Sequence, residues 1–161
     1  MAGEMNETTV ELTDLSFDEL NLKENLLRGV YSYGFEKPSL IQHKAIPVVT
    51  SGKDVIAQAQ SGTGKTGAFS IGSLNNVDED IKDTQIIIMS PTRELADQTY
   101  QVVQNLSNYT GITSCKVVGG TRVQDCIQEL RKNPHVVVGT PGRILDMLQK
   151  QHLYTQQIKT I

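Results

Sequence analysis

The residues Ala59-Gln60-Ser61-Gly62-Thr63-Gly64-Lys65-Thr66 carry the plainest chemistry in this chain of 161 residues. They follow an apolar run, Asp54-Val55-Ile56-Ala57, that predicts a buried strand, and precede Gly67 to Val77, which predicts a helix. A glycine turn opening a helix leaves backbone N–H groups without internal partners. The helix dipole adds partial positive charge there, so a phosphate can sit among them. Gly62 and Gly64 let the backbone curl around it without a Cβ clash. Lys65 is placed to reach β- and γ-phosphates as a point charge, and the Thr66 hydroxyl to ligate Mg²⁺. Ala59 stands where the general pattern has glycine, a mild departure. The competing reading is an ordinary glycine-rich turn that happens to end in Gly-Lys-Thr.

Such a turn needs a sheet behind it, and the rest of the chain predicts one. Asn21 with Glu24 forms a capping box that opens a helix through Leu22, Leu26, Leu27 and Val30, ending at Gly34. Pro38 breaks the chain, and a second helix runs from Ser39 to about Thr50, with Pro47 kinking it or shifting its start. Short apolar runs then alternate with helix-length segments. Strands are expected over 54–59, 85–90, 114–118 and 135–139, each followed by a helix: to Val77, over 93–109, over 122–132 and over 142–151. Four βα units with runs such as Ile86-Ile87-Ile88 and Val136-Val137-Val138 predict an α/β fold, a parallel sheet flanked by helices on both faces. Ile158 to Ile161 looks like the beginning of a further strand.

In a parallel sheet every βα turn emerges at the carboxyl ends of the strands, where ligands bind. Four turns should build that rim: 59–66, Ser90 to Glu94, Gly119 to Arg122 and Gly139 to Arg143. Thr92 and Thr140 stand as helix caps, the latter followed by Pro141 at the first helical position. Arg93, Arg122 and Arg143 sit at helix starts, where the dipole disfavours a cation by about 0.3–1 kcal/mol. Three such placements invite an anionic partner, and a sugar–phosphate backbone running past the nucleotide suits them better than a small ion. Solvated arginines at element ends are the plainer alternative.

Composition agrees with one soluble domain: 38% hydrophobic, 20% charged and net charge −3. No apolar run approaches the roughly 18 to 20 residues of a membrane span, and no signal pattern opens the chain, so a cytoplasmic monomer is expected. Residues 1–16 carry Glu4, Glu7, Glu11 and Asp14 without a basic residue and read as a solvated acidic tail. The remaining 15 basic residues then face 14 acidic ones, so a polyanion must be met by a focused array of dipoles and arginines. Cys115 and Cys126 read as reduced structural thiols. His43, His135 and His152 read as satisfied or solvated side chains rather than metal ligands.

These residues resemble the DEAD-box RNA helicases. Residues 34–42, Gly-Phe-Glu-Lys-Pro-Ser-Leu-Ile-Gln, resemble the family's Q motif, with Phe17 at the upstream aromatic position. Residues 59–66 resemble motif I and Pro91-Thr92-Arg93-Glu94-Leu95-Ala96 motif Ia. Gly119-Gly120 and Thr140-Pro141-Gly142-Arg143 follow in family order, the last as motif Ib. The resemblance implies a RecA-like first helicase domain over 17–161, ATP and Mg²⁺ as cofactors, and RNA as a partner gripped by its backbone. It also implies an initiation-complex scaffold protein as a partner.

For the nucleotide it implies Phe35 stacking on adenine, the Lys37 carbonyl accepting from it, Gln42 pairing with its edge, and residues 59–66 on the phosphates. For RNA it implies Pro91, Thr92, Arg93, Gly119, Gly120, Thr121, Arg122, Thr140, Pro141, Gly142 and Arg143. Gln42 also completes a capping box with Ser39, so it has a purely structural alternative; for Phe17, packing is the favoured role. The Asp-Glu-Ala-Asp sequence with which the family hydrolyses ATP does not occur. Asp78-Glu79-Asp80, in a polar loop after a helix, is no substitute. The expectation is therefore an incomplete first domain with Lys65 and Thr66 as its catalytic residues, inactive alone. The alternative is a non-enzymatic decoy binding RNA or the scaffold.

Overall fold

The computed structural model describes residues 15–161. A 3-10 turn, Phe17–Leu20, leads into α1 (Glu24–Tyr33), α2 (Leu40–Thr50) and α3 (Lys65–Asn75). Three βα pairs follow: β1 (Ile86–Met89) with α4 (Arg93–Leu106), β2 (Ser114–Val117) with α5 (Val123–Leu130), and β3 (Val136–Gly139) with α6 (Pro141–Gln149). The strands form a parallel sheet in the order β1-β3-β2. Register aligns their carboxyl ends, since Met89 and Val117 both stand opposite Gly139.

Side chains alternate across the sheet, and both faces are covered. Ile86, Ile88, Val136 and Val138 join a core with Leu26 and Val30 of α1, Ile46 of α2, Ile71 and Leu74 of α3, and Val103 and Leu106 of α4. Ile87, Val137, Cys115 and Val117 face the other way, against Cys126, Ile127 and Leu130 of α5 and Ile144 and Met147 of α6. The period of two therefore splits each continuous apolar triplet between two cores, as a sheet buried on both faces requires. Fully burying one such side chain stabilises the fold by roughly 1.5–3 kcal/mol. Phe17 is buried in the first core, which fits its packing role.

The expected strand at 54–59 does not form. Residues 53–60 have no strand pairing, Val55 is 42% exposed and Ile56 is fully exposed. An apolar run becomes a strand only with a neighbour to receive its N–H and C=O groups. Here the free edge of β1 is taken by residues 159–160: Lys159 N–H donates to the Gln85 carbonyl (2.8 Å) and Ile87 N–H to the Thr160 carbonyl (3.1 Å). A cavity of about 510 Å³, walled by Lys53 to Val55 on one side and Lys159 to Ile161 on the other, separates the run from the sheet. Three βα units are built where four were expected. Ile158 to Ile161 does lie as a strand beginning, with one parallel bridge, Ile86 to Thr160.

Two helix starts also differ from expectation. Asn21 is a left-handed residue (φ 52°) closing the 3-10 turn, and α1 begins after Lys23 with no side-chain cap. A tertiary partner displaces the local box: Lys23 N–H donates to Asn75 Oδ1 (2.8 Å) and its ammonium to the Val77 carbonyl (2.5 Å), tying α1 to the end of α3. Pro47 lies inside α2 without moving its start. Of the expected acidic tail, residues 1–14 lie outside the described residues, whereas Leu15 is buried and Ser16 caps the 3-10 turn.

Candidate nucleotide and nucleic-acid site

The phosphate loop lies between α2 and α3. Gly62 (φ 79°) and Gly64 (φ 96°) adopt the left-handed conformation that the curl requires. Gly64 is the N-cap of α3 and offers no side chain, so the first N–H groups of that helix have no side-chain cap. Thr63 Oγ1 donates to the Gln60 carbonyl (2.7 Å), and the Lys65 ammonium donates to the Ala59 carbonyl. The lysine thus folds back over the loop, reaching across the space that a phosphate chain would occupy. Ser61 and Gly62 are exposed and Thr66 is half-buried in the first turn of α3. A hydroxyl, an ammonium and unpaired backbone N–H groups form a donor set that fits a metal-bound phosphate.

Gln42 is buried at the back of this loop. Its Oε1 accepts from Ser39 N–H (2.9 Å) and the Ser39 hydroxyl accepts from Gln42 N–H (3.4 Å), so the capping box exists. Its Nε2 donates to the Gly64 carbonyl (3.3 Å). Phe35, half-buried and stacked obliquely on Phe17 and Tyr33, flanks the same place: a Cβ on Gly67 would meet Gln42 Nε2 at 2.7 Å and Phe35 Cζ at 3.0 Å. Lys37 is exposed in the connection between α1 and α2.

The other three turns converge at the aligned strand ends. Pro91, Thr92, Arg93, Gly119, Thr140, Gly142 and Arg143 line one open cleft of about 640 Å³. Thr92 caps α4 as expected, accepting from Leu95 N–H (3.2 Å). Thr140 holds the N-cap position of α6, yet its hydroxyl accepts from Gly119 N–H (3.1 Å) instead of capping. The hydroxyl thereby ties the turn before α6 to the turn after β2, with Pro141 at the first helical position.

Gly120 (φ 78°) lies under the Arg93 guanidinium, where a Cβ would stand 2.0 Å from Nη1. Arg143 donates to the Thr121 carbonyl (3.0 Å), while Arg122 is exposed at the N-cap of α5 and Pro141 is exposed at the start of α6, both outside the cleft lining. Sequence reasoning missed two acidic members of the cleft, Glu94 and Asp146, the latter paired with Lys150 at 2.8 Å. Their placement after the arginines, Glu94 next to Arg93 and Asp146 three positions beyond Arg143, was the available signal.

Two buried titratable groups, Cys115 and His135, lie outside the cleft lining. Burial pushes the Cys115 thiol up to about 12, consistent with an inert structural role, and both cysteines are free. His135 is buried with Nδ1 accepting from Thr113 N–H (3.0 Å), but its Nε2 has no partner, so it is only half satisfied. Among the described residues, no cluster of three or more His, Cys, Asp or Glu could hold a metal, and no helix is long and apolar enough to cross a membrane.

A parallel sheet covered on both faces, with a phosphate loop and an arginine-bearing cleft at its helix starts, defines a RecA-like α/β domain. The DEAD/DEAH box helicase family model matches residues 39–161, and the chain belongs to that family. It is similar to the ATP-dependent RNA helicase eIF4A of Aspergillus niger, 51% identical over 157 residues covering 98% of this chain and 39% of that protein. It is also similar to the ATP-dependent RNA helicase fal1 of Schizosaccharomyces pombe, 49% identical, covering all of this chain and 42% of that protein. Among solved structures it resembles S. cerevisiae Dbp5 bound to RNA and ADP BeF3 (TM-score 0.80, 42% identity, 89% of this chain, 36% of that one). A DEAD box protein from Methanococcus jannaschii matches with TM-score 0.83 and 39% identity, over 89% of this chain and 39% of that one. The chain thus spans about two fifths of the curated relatives it matches.

Proposed function

We propose that this chain forms the ATP-holding and RNA-gripping part of an ATP-dependent RNA helicase that acts on mRNA in translation initiation. The observation that carries the reading is the placement of Gln42, a buried amide whose Nε2 lies on the Gly64 carbonyl of the phosphate loop. An amide there can pair with the N6 and N7 edge of adenine, a pattern guanine does not satisfy. Phe35 supplies an aromatic face beside it, and the backbone carbonyl of Lys37 an acceptor. Residues 59–66 hold the phosphates, with the Lys65 ammonium exchanging the Ala59 carbonyl for phosphate oxygens. The Thr66 hydroxyl would hold Mg²⁺, which when bound would supply charge neutralisation to the phosphates.

The cleft between α4 and α6 grips the sugar–phosphate backbone through Arg93, Arg143 and the N–H groups at the helix starts, without reading sequence. The Asp-Glu-Ala-Asp sequence does not occur in residues 1–161 and Asp78-Glu79-Asp80 in its polar loop is no substitute, so turnover by residues 1–161 alone is negligible. The similarity to eIF4A proteins supports initiation, and with it an initiation scaffold as protein partner.

Purified chain should bind ATP in preference to GTP, lose that preference with Gln42→Ala, and hydrolyse ATP no faster than Lys65→Ala whether or not RNA is present. Equal affinity for ATP and GTP in the unaltered chain would remove the adenine reading. RNA-stimulated hydrolysis above the Lys65→Ala level would remove the statement on turnover. Scaffold capture that survives Arg93→Ala and Arg143→Ala would place that partner away from the RNA cleft.

A further inference from the structure

Arg143 is the one cleft arginine whose guanidinium is held by several hydrogen bonds to its surroundings. Nη2 donates to the Thr121 carbonyl (3.0 Å), and Nη1 donates to both the Thr121 hydroxyl (3.4 Å) and Cys126 Sγ (3.2 Å). The clasp is itself fixed. The Thr121 hydroxyl donates to the Val118 carbonyl (2.9 Å) and lies 3.6 Å from Cys126 Sγ. Cys126 is buried in α5, packed in the second core. Two turns that follow different strands are thereby locked to one side chain.

We propose that Thr121 and Cys126 are positioning residues that aim Arg143 at a phosphate of the bound strand. This rests on the reading of the cleft as an RNA grip. Arginine carries large rotamer freedom that must be lost when it meets a phosphate, and a guanidinium already held loses less. All three acceptors are uncharged, and none of the ion pairs found among the described residues uses Arg143, so its charge remains available to an anion. Three hydrogen bonds are committed to the clasp, leaving the remaining N–H donors of the five in the planar fork for phosphate oxygens. Cys126 therefore has a role beyond filling the core, and one that Cys115 on β2 does not share.

The test is a double-mutant cycle on the whole chain, read as affinity for a short fluorescent oligouridylate over a series of salt concentrations. Arg143→Ala should weaken binding about 5-fold at low salt and reduce the salt slope by about 0.7, one single-strand phosphate contact. Cys126→Ala should weaken binding by about 2- to 4-fold and lower the slope in the same direction. In the Arg143→Ala background it should add nothing, and Cys126→Ser, with a neutral acceptor of similar size, should restore affinity. An equal loss from Cys126→Ala in both backgrounds would mean a purely structural cysteine and overturn the proposal. So would an unchanged affinity and slope in Cys126→Ala alongside a weakened Arg143→Ala. If Arg143→Ala itself changes neither quantity, the RNA-grip reading of this cleft falls, and the clasp with it.

Discussion

Gln42 and Gly64, 22 residues apart, are joined by a hydrogen bond from a side-chain amide to the carbonyl of the residue that caps α3. The same amide group accepts from Ser39 N–H at the start of α2. One buried side chain therefore fixes two helix starts relative to each other. Pairing with adenine would require Nε2 to trade the Gly64 carbonyl for the base, or to share between them, which couples base recognition to the phosphate loop.

Gln42→Ala should consequently cost stability as well as nucleotide preference. Loss of the cap and of a buried bond predicts about 1–2 kcal/mol of destabilisation. Urea unfolding without nucleotide measures it. A change below about 0.5 kcal/mol, the usual range for surface substitutions, would deny the structural role.

Gly120→Ala should damage Arg93 without touching it. The residue has φ 78°, which costs a non-glycine residue about 1–2 kcal/mol. The new Cβ would also collide with the guanidinium, whose Nη1 would stand 2.0 Å away. Arg93 must then leave its place over the turn. RNA affinity should drop to the level of Arg93→Ala, and the double variant should be no weaker than either single one. Additive losses would mean that the glycine acts on RNA by itself.

His135 should make the fold acid-sensitive. Burial first, then the nearby Lys82 charge, hold its imidazole below the ordinary value of 6.5. The unfolded chain thus takes up the proton first, and stability rises with pH through this window. Its contribution is complete above the ordinary histidine value and is lost as pH falls below that value toward the lowered folded one. Protonation would also turn Nδ1 from acceptor to donor against Thr113 N–H, 3.0 Å away. Thermal midpoints measured from pH 7.5 down to 5 should fall more steeply for the unaltered chain than for His135→Asn, and parallel curves would refute the assignment.

Ile56→Ser should be nearly neutral, within about 0.5 kcal/mol, because the side chain is fully exposed. A buried strand at 54–57 would instead predict a loss of about 2–5 kcal/mol for removing so large an apolar group. Chemical denaturation of the two proteins separates the alternatives directly.

Much of this molecule was legible in its residues. Runs such as Val136-Val137-Val138 could only be strands buried on both faces, and the two cores divide them as that predicts. Gly62 and Gly64 announced a left-handed turn, and Thr92 a cap, because these depend on neighbours within a few positions. The order of motifs from residue 34 to 143 marked the turns that the structure places before α3 and at the aligned strand ends.

What failed was wherever a local preference met a distant competitor. Val55 and Ile56 had the composition of a strand but no neighbouring ladder, so their register of hydrogen bonds could not form. Asn21 lost its capping role because Asn75, 54 positions away, took the Lys23 N–H instead. Thr140 looked like a cap and became a tie to Gly119, while Cys126 looked inert and became a contact of Arg143. Periodicity, turn chemistry and caps are decided by interactions a few residues long, which a sequence carries in full. Which side chain a free donor finally meets is decided by the packing of the sheet and helices, and only that packing brought Gln42 to Gly64, and Thr121 and Cys126 to Arg143.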